Sequence, residues 1–259
     1  MLFTLSPAKS LDYETPVDTS QATQPLFVKQ SAELIRVLRE KSAADIAGLM
    51  KLSDALAELN VQRYADWKPS FTPKSARPAV MAFNGDVYEG LDARTLAPGA
   101  LKWAQEHVVI LSGLYGALRP LDMIRPYRLE MGTRLAVGKA RNLYQFWDDT
   151  IASYLNQRLA GHKGEAVLVN LASEEYFKSV RRDVLQARVV QCVFEDFKRD
   201  GYKIISFHAK RARGLMARFA AQHKIDEPAG LRDFNLEGYA FAPDVSDDDR
   251  LVFRRKSEQ

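Results

Sequence analysis

Four cations, Lys210, Arg211, Arg213 and Arg218, crowd one short stretch of this 259-residue chain. From Lys203 to Lys224 there are six Lys or Arg and no Asp or Glu. Side chains of that type, so close together, suit a phosphate-bearing polyanion. On helical spacing Lys210 and Arg213 share one face, while Arg211 and Arg218 flank Leu215 on a neighbouring face. Cations near a helix amino terminus oppose its dipole, which favours an anionic partner; a solvated charged face is the alternative. Gly214 costs roughly 1 kcal/mol in mid-helix, so something must approach the backbone there, either another helix or a phosphate.

Three further segments carry chemistry. Leu111–Thr133 holds Arg119, Arg125 and Arg128, with Asp122 and Glu130 as the local carboxylates. Arginine forks grip phosphate oxygens in pairs, and the prolines at Pro120 and Pro126 pre-order the backbone that carries them. The Gly113-Leu114-Tyr115-Gly116 turn lacks the Gly-Lys-Ser/Thr ending of a P-loop. In Ser6–Asp12, Lys9 fits a phosphate contact or, if desolvated, an amine nucleophile. Asn170–Lys178 adds Ser173, Glu174, Glu175, Tyr176 and Lys178. Lys9, Asp12 and Glu175 are therefore the catalytic candidates, as nucleophile or as acid and base. Structural pairing with arginines is the other role open to the carboxylates. Tyr115, Tyr127 and Tyr176 adjoin these cations and are placed in sequence to stack on exposed bases.

The single Cys192 lies in the apolar stretch Val189–Phe194, which predicts a buried thiol and excludes a disulfide framework. The four histidines have no ligand spacing, so no metal site or cofactor is predicted. Lys and Arg exceed Asp and Glu by 37 to 33, a net charge of +4, and 46% of residues are hydrophobic. These are values of an ordinary globular domain. The amino terminus lacks a signal-peptide pattern and no apolar run approaches ~18 residues, which predicts a cytoplasmic protein without a membrane partner.

What must position these residues is a set of short apolar runs: Leu2–Leu5, Ala79–Phe83, Val108–Leu111, Ala166–Leu171 and Lys203–Phe207. Each ends in one of the polar motifs, and each reads as a buried strand. Strands alternating with helices predict one α/β domain over 1–259, with a mixed, largely parallel sheet flanked by helices. Ligands gather outside the carboxyl ends of such strands. Lys198-Arg199-Asp200-Gly201 predicts a hairpin, hence at least one antiparallel pair. Ser31–Glu40 predicts a helix capped by Ser31. Residues 42–67 predict two helices joined at Lys51-Leu52, capped by Ser42 with Asp45 and by Ser53, with Leu56, Leu59 and Tyr64 inward. Such a pair is a helix-hairpin-helix-like element whose joint lacks the turn glycine of nucleic-acid-binding hairpins; a phosphate site, with Lys51 at the joint as a further nucleic-acid candidate, and a plain packing corner are the two readings.

Taken together, Ser6-Pro7-Ala8-Lys9-Ser10-Leu11-Asp12-Tyr13, Phe83-Asn84-Gly85-Asp86-Val87-Tyr88, Ser112-Gly113-Leu114-Tyr115-Gly116, Leu118-Arg119-Pro120-Leu121-Asp122, Asn170-Leu171-Ala172-Ser173 and Lys210-Arg211-Ala212-Arg213-Gly214 resemble the YaaA family of peroxide stress resistance proteins. The resemblance runs from Met1 to about Phe253. It implies a positively charged cleft, a helix-hairpin-helix and DNA binding, and a role in limiting free iron and DNA damage under hydrogen peroxide. The expected partner is DNA, double-stranded or partly single-stranded, held with little sequence specificity, and no obligate protein partner is inferred. The expected contacts are Lys9, Lys51, Arg119, Arg125, Arg128, Lys178, Lys210, Arg211, Arg213 and Arg218. An enzyme acting on a nucleobase, nucleotide or damaged DNA at the same cleft, through Lys9, is the alternative.

Overall fold

Leu2–Leu5 forms a wholly buried strand, β1, near the middle of the main sheet. The computed structural model describes residues 1–18, 20–162, 164–199 and 201–256. The two-residue β2 follows at Ser10–Leu11. Helix α1, Val28–Arg39, buries Leu34, Ile35 and Leu38, as their spacing predicts. Ser31 is not its cap: it is buried inside the first turn, its hydroxyl donating to the Phe27 carbonyl at 2.9 Å.

Helices α2, Ala43–Met50, and α3, Asp54–Asp66, are joined through Lys51, which takes a left-handed conformation with φ 54°. Ser42 and Asp45 make the predicted reciprocal cap. Ser53 stands at the start of α3 without a side-chain cap bond. The inner face of α3 also differs from expectation. Ala57, Asn60 and Tyr64 are buried, whereas Leu56 and Leu59 are 41% and 44% exposed. Apolar spacing alone overlooks Asn60, whose amide is satisfied by the Leu56 carbonyl at 2.7 Å and so tolerates burial.

Next come β3, Arg77–Pro78, α4, Ala79–Ala82, and β4, Phe83–Asn84. The run Ala79–Phe83, predicted as a strand, is thus one helical turn and the first residue of a two-residue strand. A short apolar run fits either period. Here the Ala79 and Val80 amides are taken by the carbonyls of Asp122 and Pro120, at 2.8 and 2.9 Å, not by a neighbouring long strand.

Helices α5, Asp86–Leu91, and α6, Pro98–His107, lead to β5, Val108–Ser112. The chain reverses into β6, Gly116–Leu118, and then reaches β7, Met123–Ile124, which pairs with β3. The apolar stretch Leu143–Leu159 divides at Asp148 into α7, Leu143–Trp147, and α8, Thr150–Ala160. Strand β8, Val167–Asn170, precedes α9, Glu174–Phe177, and β9, Arg188–Lys198. The antiparallel β10, Gly201–Lys203, follows, although Asp200 of the predicted turn lies outside the described residues.

The strand predicted to reach Phe207 stops at Lys203, because α10 already begins at Ser206 and runs to His223. Burying Ala209, Ala212 and Met216 on one face needs that earlier start. Strands β11, Ala240–Phe241, and β12, Arg250–Arg255, complete the chain.

Among the described residues the main sheet has eight strands, in the order β11-β12-β9-β8-β1-β5-β6, with β10 on β9. Strands β12, β9, β8, β1 and β5 are parallel; β11–β12, β9–β10 and β5–β6 are antiparallel. The architecture is the predicted α/β domain with a mixed, largely parallel sheet. Helix α10 packs across β9, β1 and α6 and crosses α5 at two glycines. A Cβ on Gly214 would lie 1.8 Å from the Val87 carbonyl oxygen, and one on Gly90 would lie 2.2 Å from that of Arg211. Close helix packing, rather than a ligand, is therefore what Gly214 permits. Among the described residues no helix is long and apolar enough to cross a membrane.

Candidate nucleic-acid interface

Parallel pairing puts the carboxyl ends of β5, β1 and β8 on one rim, and side chains there tie the sequence motifs together. Thr4 donates to Asn170 Oδ1 at 3.2 Å, and the same oxygen accepts from the Ala172 amide at 2.9 Å. Just beyond, the Ser173 amide donates to Ser6 Oγ at 2.8 Å, and Tyr88 of α5 donates to the Ser6 carbonyl at 2.9 Å. Ser112, at the end of β5, shares a 2.6 Å hydrogen bond with Tyr127. The motifs after β1, β4 and β8 thus meet, although β4 lies outside the main sheet, and the motif after β5 joins them through the Lys9–Glu130 pair.

On this rim Glu130 gathers two cations. Lys9 Nζ lies 2.9 Å from its Oε2, and Arg128 Nη2 lies 3.1 Å from its Oε1. The backbone of Arg128 is anchored through its carbonyl, which accepts from the Tyr64 hydroxyl of α3. Glu175 reaches the same turn, its Oε1 accepting from the Gly132 amide at 2.9 Å. Lys178 Nζ sits 5.2 Å from the centre of the Tyr144 ring, whose hydroxyl donates to the Glu175 carbonyl. Lys9, Arg128, Glu175 and Lys178 are therefore linked through the segment 128–132.

Other predicted contacts serve the fold. Arg119 donates to the fully buried Asp122, which also takes the Arg119 amide at 2.8 Å and the Thr23 hydroxyl at 2.6 Å. Arg125 donates to the carbonyls of Asp66, the last residue of α3, and of Ser70 just beyond it. Arg211 grips Glu237 at 2.6 Å, and Arg218 holds the carbonyls of Leu91 and Asp92 at the end of α5. Lys51 and Lys210 are exposed.

Arg213 is different. It is partly buried, and burial pushes its guanidinium below the usual arginine range. Among the described residues it has no ion pair or side-chain hydrogen bond, unlike Arg119, Arg125, Arg128, Arg211 and Arg218. It precedes Gly214, which abuts Val87, and the adjacent Tyr88 touches Ser6 at the rim.

The carboxylate candidates are structurally engaged. Asp12 accepts from the amides of Glu14 and Thr15 at 3.0 and 2.9 Å and pairs with Arg94 at 3.1 Å. Its carboxyl is lowered to about 2, mainly by hydrogen bonding from Thr15. A carboxylate so held is a poor general base near neutral pH. Lys9 has 64% of its side chain exposed and is ion-paired, not desolvated as an amine nucleophile requires. The three tyrosines read as stacking rings are buried: Tyr115 is 0% exposed, Tyr127 5% and Tyr176 9%. Tyr115 instead accepts from Trp67 Nε1 and from the Arg125 amide, at 3.0 and 3.1 Å. Cys192 is buried in an apolar site that pushes its thiol up to about 12.

Sequence reasoning missed Arg63, on the last turn of α3. It is half-buried, with Arg128 nearby, and its hydrogen bond to Asn60 is long at 3.4 Å. Nothing in its spacing separates it from an ordinary surface arginine of a helix end. What sets it apart is burial, which together with Arg128 pushes its guanidinium down while Tyr13 and Tyr64 act the other way.

The family model for peroxide stress protein YaaA matches residues 1–245. A UPF0246 protein of Bordetella petrii is 66% identical over 257 residues, 99% of this chain and 100% of that protein. One from Bordetella avium is 63% identical over 256 residues, 99% of each chain. A third, from Leptothrix cholodnii, is 64% identical over 255 residues, 98% of each chain.

Proposed function

The chain belongs to the YaaA family of peroxide stress proteins, and on that premise we propose that it binds DNA at the carboxyl rim of its sheet, helping to limit free iron and DNA damage. The observation that carries this reading is Arg213. A half-buried guanidinium that keeps some contact with water but has no counter-ion among the described residues carries a modest cost. That cost is relieved when a phosphate oxygen takes the vacant donors, and Arg213 lies on the helical face it shares with the exposed Lys210. The rim cations Lys9 and Arg128, held on Glu130, are further candidate contacts, and Arg128 is tied to α3 through its carbonyl. Contacts of this kind go to the backbone and carry little sequence information.

Anisotropy titration of a labelled duplex at low salt tests the reading. Arg213→Gln is expected to weaken binding about tenfold, in line with the loss of a charge-assisted pair worth about 1.5 kcal/mol. Equal affinity of the variant and the parent protein would remove Arg213 as the carrier.

A further inference from the structure

We propose that the β9–β10 hairpin, with the start of α10, forms a site for the unpaired bases of a single-stranded nucleic-acid segment; this rests on the reading of the rim as a DNA surface and names the form of strand taken there.

Strand β8 pairs with β9 only as far as Gln191, whereas β12 follows β9 to Asp196. Residues 192–198 of β9 therefore run on the order of 20 Å past the end of β8. Asp196 pairs with both Lys203 and Arg255, so β10 takes the edge of β9 opposite β12, the edge that β8 occupies further down. The hairpin thus stands over the carboxyl end of β8. His208 Nδ1 lies 3.2 Å from Asp196 Oδ1, which sets the start of α10, with Phe207 and the exposed Lys210, beside the hairpin.

Phe197, Ile204 and Phe207 are 40%, 60% and 59% exposed, an apolar surface that water alone does not favour. The Phe197 ring meets Tyr202 edge-on, with centroids 5.3 Å apart. Lys256 Nζ lies 5.2 Å from the centre of the Phe197 ring, and the Arg254 guanidinium lies 4.4 Å from that of Tyr202. Arg254 is itself fixed by Glu195 at 2.9 Å. Rings held beside cations supply base stacking and backbone neutralisation together.

The local charge fits a polyanion. Residues 195–210 and 254–258 hold seven Lys or Arg against four Asp or Glu, an excess of three positive charges. Glu195 and Asp196 are engaged by Arg254 and Arg255, and the other two acids, Asp200 and Glu258, lie outside the described residues. Glu237, which borders Arg255 from the next element, is taken up by Arg211. Lys198, Arg199, Lys203 and Lys256 are all exposed.

The placement of the rings selects the form of the ligand. Successive side chains of a strand point to opposite faces, so Phe197 and its register partner Tyr202 face away from Asp196, on whose side His208 and α10 pack. Phe207 stands on the α10 side. Apolar groups on two sides of a projecting hairpin do not share the single plane that a bilayer surface needs. A continuous duplex keeps its base faces stacked and gives the rings nothing beyond phosphate contact. A single strand bends around the hairpin, and each of its bases has a face to stack.

Anisotropy titrations with three labelled probes test this: a thymidine homopolymer strand, an abasic strand of the same length, and a fully paired duplex. The parent protein should bind the thymidine strand at least about fivefold tighter than the abasic one, the scale of a single stacked base. Phe197→Ala and Phe207→Ala should each weaken the thymidine strand about fivefold and change the abasic strand and the duplex less than about twofold. Phe197→Trp should keep the preference. The readout is the ratio of affinities for the two strands, so a general loss of affinity does not mask it. Equal affinity of the parent for the thymidine and abasic strands overturns the proposal, as does an equal loss on both strands in the variants. Sedimentation of the parent, but not of Phe197→Ala, with phosphatidylserine vesicles, and no difference between the strands, would overturn it in favour of a membrane surface. If duplex binding depends on Arg213 and the strand ratio is one, the rim reading stands and the hairpin fails. If the strand ratio depends on Phe197 and the duplex is not bound, the reverse holds.

Discussion

Lys9 Nζ lies 2.9 Å from Glu130 Oε2, joining the loop after the first strand to a turn far along the chain. Glu130 also holds Arg128, so one carboxylate restrains two cations at the rim. Glu130→Gln keeps the shape and removes the restraint. Affinity for duplex DNA at about 50 mM salt should rise severalfold, because one opposing charge is gone. Stability should fall by about 1 kcal/mol, the scale of a partly exposed ion pair. Anisotropy and urea unfolding measure the two effects, and a fall in affinity would contradict the placement of the polyanion beside Glu130.

Two helical glycines should respond in opposite directions. Gly214 has Val87 backbone where a Cβ would go, so Gly214→Ala should cost ~3 kcal/mol or prevent folding. Gly48 of α2 has nothing within 4 Å of that position. Gly48→Ala should stabilise by about 0.5 to 1 kcal/mol. Thermal melts of the two variants would decide this, and equal behaviour would refute the α5–α10 contact.

Asp12 should make stability depend on pH in acid only. Its folded-state pKa is depressed, so its contribution is complete above the unfolded value near 3.9 and is lost as pH falls through about 2. The stability gap between the parent protein and Asp12→Asn should therefore be constant from pH 7 to about 5 and close between about 4 and 2. Urea midpoints across that range measure it, and a gap that instead grows toward low pH has the wrong sign.

Cys192 should be chemically silent in the native state. Its thiol is buried and pushed up to about 12, so almost no thiolate exists at pH 8. Alkylation should be negligible until denaturant is added, and Cys192→Ser should leave peroxide protection intact in cells. Rapid native alkylation would make it a redox-sensing candidate.

Burial explains which parts of this fold can be read from residues alone. Leu2–Leu5, Val108–Leu111 and Ala166–Leu171 are dense apolar runs between polar turns, and each lies in or around a buried strand. Arg119 with Asp122 and Arg128 with Glu130 are neighbours in sequence, so their pairing is local chemistry. Ala79–Phe83 misleads because its amides are satisfied by the distant carbonyls of Asp122 and Pro120. Tyr115, Tyr127 and Tyr176 mislead because residue type does not report burial. Arg63 is invisible because its surroundings come from Tyr13 and Arg128, far away in sequence.

The central claim is that basic residues at the strand ends hold a phosphate backbone, with Arg213 among the contacts. Its most direct test is the salt dependence of duplex binding between about 50 and 200 mM for the parent protein and for Arg213→Gln. Log affinity should fall in a straight line against log salt, about −0.9 in slope per phosphate contacted, with a slope shallower by about one in the variant. Affinity independent of salt, or identical slopes for the two proteins, would contradict it.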